Sequence, residues 1–154
     1  MAESELAPIK RLMIERACEQ LSIEYARLVD FRDYDNFVEL FAEDALLDIG
    51  RRLEGKPAIR ASIMKRSHDI RSRHVITNVF VEVLDSHQAR GIAYLTLYRH
   101  VGPASARYGP IQSTLPTAVG HYEDRYVRID DGWRFKSRIL HVAFRDPSTV
   151  RGEQ

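Results

Sequence analysis

The hydrophobic period of this chain changes about halfway along, and that change limits the folds open to it. Before about residue 69 the apolar positions recur at helical spacing; after it they alternate in long, β-branched runs. Ile14, Ala17, Leu21, Tyr25 and Leu28 make one stripe with Cys18 beside it, while Glu15, Arg16, Glu19 and Arg27 lie off it. The stripe predicts a long amphipathic helix from Pro8 to about Val29. A break at Phe31 to Asp33 precedes a short second helix, Tyr34 to Phe41, with Phe37, Leu40 and Phe41 turned inward. Ala45 to Ile49 reads as a strand that Arg51 to Gly55 can pair with. Pro57 then suits a first helical position, and Ala58, Ile59, Ile63 and Met64 supply the apolar face of a third helix to about Asp69.

The second half reads as four strands. Val75, Thr77, Val79, Val81 and Val83 alternate with Ile76, Asn78, Phe80, Glu82 and Leu84, and further runs span Ala89 to Val101, Ala118 to Ile129 and Trp133 to Phe144. Asp130-Asp131-Gly132 carries an Asp-Gly hairpin signal between the last two. Long strands joined this way form a twisted antiparallel sheet that curls to bury one face. Three helices on such a sheet make an α+β fold with a conical hollow at the open end, the default place for a ligand. The Gly-, Pro- and Ser-containing connection from Gly102 to Pro116 is expected to act as its rim or lid.

Composition narrows the partners. At 154 residues the chain suits one domain, with a core from about residue 9 to 146 and flexible ends. Twenty-three Lys and Arg against 22 Asp and Glu leave a net charge of +1, and no basic tract calls for nucleic acid or an anionic membrane. Cys18 has no second cysteine to pair with and reads as a small buried hydrophobe. The acidic N-terminus lacks a signal-peptide layout, and no apolar run approaches the roughly 18 residues of a membrane span, so a cytoplasmic location is expected. No His-Glu-x-x-His, Cys pair or carboxylate cluster announces a metal. No phosphate-binding glycine motif or serine nucleophile elbow is present, so no cofactor is expected.

Four segments resemble the SnoaL-like domains of the nuclear transport factor 2-like superfamily in the order that family shows them. They are Tyr25 to Ala45, GKPAIR from Gly55 to Arg60, RHVITN from Arg73 to Asn78, and the terminal hairpin Gly120 to Leu140. The likeness spans about Ile9 to Phe144 and implies a cone: three N-terminal helices on a strongly curved, mostly antiparallel sheet. It fixes no reaction, because one scaffold hosts many. The scytalone-dehydratase-like and bile-acid-dehydratase-like branch implies a cofactor-independent lyase acting on a cyclic, aromatic or polyketide-like molecule. Alternatives on the same scaffold are a non-catalytic module, such as the small subunit of a ring-hydroxylating dioxygenase, and an isomerase or epoxide hydrolase.

In that branch a histidine at this strand start is the general base, an aspartate at the end of the first helix is its partner, and a tyrosine lies five residues earlier. The matching positions are His74, Asp30 and Tyr25. An imidazole can take a proton from carbon and return it to a leaving group, a carboxylate on its other nitrogen fixes the tautomer, and a phenol can donate to a developing enolate. Each residue also has an ordinary reading. His74 can be a hydrogen-bonded structural residue, Asp30 a solvated helix end with Asp33 or Asp35 as the true partner, and Tyr25 a core tyrosine. Asn78 shares the parity of His74 and is expected to face the pocket with it. Tyr122, Tyr126 and His121 are further candidate liners. Arg138 resembles in position an oxyanion-binding arginine, yet its parity with Arg134 and Lys136 points to solvent, leaving Trp133, Phe135, Ser137, Ile139 and His141 as the buried set. The expected partners are a small-molecule substrate and further copies of the chain. A homodimer or homotrimer would form through the outer sheet face of Arg90 to Arg99 and Tyr122 to Arg128.

Overall fold

The computed structural model describes residues 6–112, 115–130 and 132–149. Helix α1 (Pro8–Asp30), with proline in its first turn, is followed by the short α2 (Tyr34–Val38), strands β1 (Phe41–Asp48) and β2 (Arg52–Glu54), and α3 (Lys56–Met64). Four long strands then run as β3 (Ile70–Val83), β4 (Gln88–Val101), β5 (Ala118–Ile129) and β6 (Gly132–Arg145). All six strands form one sheet in the order β2-β1-β6-β5-β4-β3, antiparallel except where β1 runs parallel to β6. This is the α+β, mostly antiparallel layout expected from the two periodicities. Among the described residues no helix is long and apolar enough to cross a membrane.

The α1 stripe behaves as its spacing demands: Ile14, Cys18, Leu21, Tyr25 and Leu28 are buried, and Ser22, Ala26 and Val29 widen the covered face. Burial, reinforced by the Asp124 charge, pushes the Cys18 thiol up to about 12, so it stays protonated and inert. Sheet positions opposite large side chains are small. Ala89, Gly91 and Ala93 on β4 pair with Tyr126, Asp124 and Tyr122 on β5, leaving room for two phenol rings and a carboxylate beneath the helix.

Several boundaries differ from the sequence expectation. The second helix ends at Val38, because Phe41 already begins the strand that pairs in parallel with β6. The third helix stops at Met64, and β3 starts at Ile70, five residues before the β-branched run. Ile129 pairs with Gly132 across the last hairpin, and Asp130 takes a left-handed φ of 52° there; Asp131 lies outside the described residues. So do Ser113 and Thr114 in the expected rim and the first five residues of the acidic N-terminus.

The larger differences come from β-bulges, each of which inserts one residue and reverses which side chains face inward. In β3 the shift falls between Thr77 and Phe80, with Asn78 at a left-handed φ of 50°. Ser72, His74 and Ile76 face the helices before it; Val79, Val81 and Val83 do so after it. In β6, Phe135 pairs with Tyr126 but Ser137 pairs with Arg125, so Lys136 is the extra residue. The inward set is therefore Trp133, Phe135, Arg138 and Leu140, and the expected inward parity of Ser137, Ile139 and His141 is overturned.

Candidate functional site

The open end of the curled sheet holds a cavity of about 320 Å³, within the size range of small-molecule sites. Its walls are largely apolar, with Val29, Ile59, Leu95, Leu97 and Leu140 among them, and Tyr25, Tyr122 and His74 also face it. The connection after β4 does not cover it. Among the described residues of 102–116 none lines the cavity, because Arg71 ties this segment to β3 by donating to Ser105 O at 3.2 Å and Gly109 O at 2.7 Å.

His74 and Asp30 meet at the cavity wall. The backbone amide of His74 donates to Asp30 Oδ2 at 2.8 Å, and its ring Nδ1 lies 2.7 Å from Asp30 Oδ1. Asp30 Oδ1 also accepts from Ser72 Oγ at 2.7 Å, and Ser72 Oγ accepts from Arg66 Nη2 at 2.6 Å. Asp33 and Asp35 are otherwise engaged: Asp33 caps α2 through Asn36, and Asp35 pairs with Arg60 at 2.9 Å. The side chains of Asp30 and His74 are 5% and 13% exposed. Burial works against the Asp30 charge, but the bonds from the His74 ring, the His74 amide and Ser72 outweigh it and hold the carboxyl below its usual range. An ionised carboxylate can only accept, so Nδ1 carries a proton and Nε2 is left as the basic ring nitrogen.

A clamp keeps these two elements in place. Arg32, at a left-handed φ of 63° just beyond α1, donates to Ser67 O at 3.1 Å and His68 O at 3.0 Å, and also to Ile70 O. It ties the end of α1, where Asp30 lies, to the start of β3, where Ser72 and His74 lie.

Behind the cavity lies a buried ion pair that sequence parity concealed. Arg138 is fully buried; its Nε and Nη2 reach Asp124 at 2.8 and 2.9 Å, and Nη2 donates to Ser22 Oγ at 2.6 Å. Tyr126 donates to the same carboxylate at 3.1 Å. The guanidinium carbon lies 4.5, 4.0 and 4.3 Å from the ring centroids of Tyr25, Tyr122 and Phe135. Burial disfavours the Arg138 charge, yet Asp124 more than compensates and the group stays cationic. Burial raises the hydroxyls of Tyr25 and Tyr122 above the usual phenol value, with Arg138 opposing the rise.

The sequence candidates therefore separate. Tyr25, His74 and Tyr122 line the cavity, with Asp30 directly behind His74. Arg138 and Tyr126 do not line it: Arg138 is stacked behind the phenols, and Tyr126 belongs to the Asp124 cluster. Asn78 is exposed at the β3 bulge, because the extra residue turns it out of the His74 face. His121 faces the other side of the sheet, where its ring stacks on that of His141 at 5.0 Å and its Nε2 lies 3.6 Å from Glu123. Those three residues are the one group among the described residues whose ligand atoms, within 4.8 Å of one another, could hold a metal ion, and they lie outside the cavity. Ser72, Arg66, Arg32 and Asp124 were missed. Two had a readable signal: Ser72 is two residues from His74 on one strand, and Asp124 shares the parity of Tyr122 and Tyr126.

Replacing Asp30 by Asn tests the electrostatics of the site. A carboxyl held below its unfolded pKa of about 3.9 contributes stability above that value and loses it as the pH falls through the lower folded value. Wild type is expected to exceed Asp30→Asn by about 1.5–3 kcal/mol near pH 7, the worth of hydrogen bonds to a charged group. The gap should narrow only below about pH 4. Urea titrations at several pH values measure it, and a gap independent of pH would contradict the assignment.

Comparison with known proteins agrees with this architecture. The SnoaL-like domain family matches residues 10–139. A candidate scytalone dehydratase from Novosphingobium aromaticivorans shares 19% identity over 95% of both chains, with a TM-score of 0.78. A hexachlorocyclohexane dehydrochlorinase of type 2 shares 18% over 90% of both chains, with a TM-score of 0.75. A candidate aromatic ring hydroxylase from Novosphingobium aromaticivorans shares 23% over 90% of this chain and 92% of its own, with a TM-score of 0.70. No curated protein sequence matches the chain significantly. At these identities the structural likeness establishes the cone-shaped nuclear transport factor 2-like fold.

Proposed function

Since the chain belongs to the SnoaL-like domain family, we propose that it is a cofactor-independent lyase, a dehydratase of a cyclic, aromatic or polyketide-like small molecule. The observation that carries this reading is the Asp30–His74 pair at the wall of a largely apolar cavity, with Tyr25 facing the same space. His74 Nε2 takes a proton from the carbon next to a carbonyl, and the electron pair moves onto the carbonyl oxygen as an enolate. Asp30 holds the imidazolium so formed. The Tyr25 hydroxyl donates to the enolate oxygen, and the Arg138 charge stacked behind the phenol strengthens that donation. When the enolate collapses, the bond from the β-carbon to its hydroxyl breaks. Nε2–H gives up its proton to the departing oxygen, water leaves, and the imidazole is neutral again.

The buried Asp–Arg pair favours proton shuttling over epoxide hydrolysis. Asp124 and Arg138 bond directly to each other and do not line the cavity, so this pair is not placed to hold a water against a bound substrate. The test is isotopic. A cyclic β-hydroxy ketone incubated with the protein in D₂O, without added metal or cofactor, should lose water and acquire deuterium at its α-carbon in recovered substrate. Water loss with no α-exchange and no primary isotope effect on the α-proton would overturn the mechanism.

A further inference from the structure

Among the described residues, the charged side chains that line the cavity are all cations, while the Asp30 carboxylate lies behind His74 and Ser72. Arg51, Lys65, Arg66 and Arg99 line the cavity, and among its described lining residues there is no Asp or Glu. They come from three places: Arg51 from the turn between β1 and β2, Lys65 and Arg66 from the exit of α3, and Arg99 from the far part of β4. A helix C-terminus attracts cations, which accounts for Lys65 and Arg66 as neighbours of α3 but not for Arg51. Nor does it explain the inward turn of Arg66, whose bonds go to the hydroxyls of Ser72 and Tyr34, with no carboxylate bonded to it directly among the described residues. Away from the cavity, many surface cations meet an acid, as in Arg16–Glu19, Lys56–Glu39, Arg60–Asp35 and Arg90–Glu82.

We infer that the molecule bound here is an anion: an apolar ring system carrying a carboxylate or phosphate. Its rings pack against the aliphatic wall, and its charge lies toward Arg51, Lys65 and Arg66. Low-dielectric walls focus the field of clustered cations, so an anionic group gains both encounter rate and affinity over a neutral one of equal shape. The reasoning rests on the cavity being the substrate site and adds the class of substrate.

Three probes of one shape test it by calorimetric titration: 2-naphthoate, 2-naphthyl phosphate and the neutral naphthalene-2-methanol. At least one anion should bind about tenfold or more tightly than the alcohol, and the preference should shrink in about 0.5 M salt. The tighter anion says whether the group recognised is a carboxylate or a phosphate. Arg51→Gln combined with Lys65→Gln, two exposed positions, should remove most of the preference while leaving affinity for the alcohol unchanged. The alcohol binding as tightly as both anions, or a preference untouched by the double substitution, would overturn the inference. The preference is read from binding without turnover, so a failure of proton abstraction and a failure of anion selection are separable.

Discussion

His74→Ala is expected to lower turnover of the dehydrated substrate by about 10²–10⁴-fold, the usual contribution of a positioned general base. The loss should fall on kcat rather than KM, because a general base acts on a proton that moves only in the transition state. Folding should survive. Asp30 still accepts from the backbone amide of residue 74 and from Ser72, so its carboxylate keeps two of its three bonds. His74→Gln tests the same point with an amide near the same place. A His74→Ala protein that stays folded and turns over at the wild-type rate would remove the base from the mechanism.

Asp124→Ala should cost stability rather than chemistry first. It leaves the Arg138 guanidinium, already fully buried, without its carboxylate, and breaking one side of such a pair costs about 3–5 kcal/mol. A loss of this size takes much of the stability of an ordinary domain, so the variant should unfold at clearly lower urea. Replacing both partners with apolar residues, Asp124→Leu with Arg138→Met, should recover most of it, since no isolated charge then remains inside. The double variant also separates two roles. Packing returns, but the cation behind Tyr25 and Tyr122 is gone, so activity should stay low even where stability does not. A single variant as stable as wild type would mean that the pair carries little of the fold.

Most of the architecture could be read from period and turn chemistry. The α1 stripe, the hairpin signal and the long β-branched runs each specify an element locally, and the structure keeps all of them. What sequence could not supply was register. Strict alternation assigns Arg138 to solvent and Asn78 to the cavity, and one inserted residue in each strand reverses both. Bulges are set by the pairing partner, so nothing in Phe135-Lys136-Ser137 announces one. The Asp30–His74 contact joins residues 44 apart, and only the family resemblance placed them together in advance. The Arg32 clamp was equally hidden, because its acceptors are backbone carbonyls that carry no residue signature.

The extra residue at Lys136 bears on how relatives of this chain should be aligned. A last strand without that extra residue, aligned to this one column by column with no gap, would have its inward-facing position one residue out of step with Arg138. Gaps in this strand therefore carry chemical meaning. Counting from the cross-strand neighbour Asp124, rather than from the chain terminus, identifies which side chain reaches the interior.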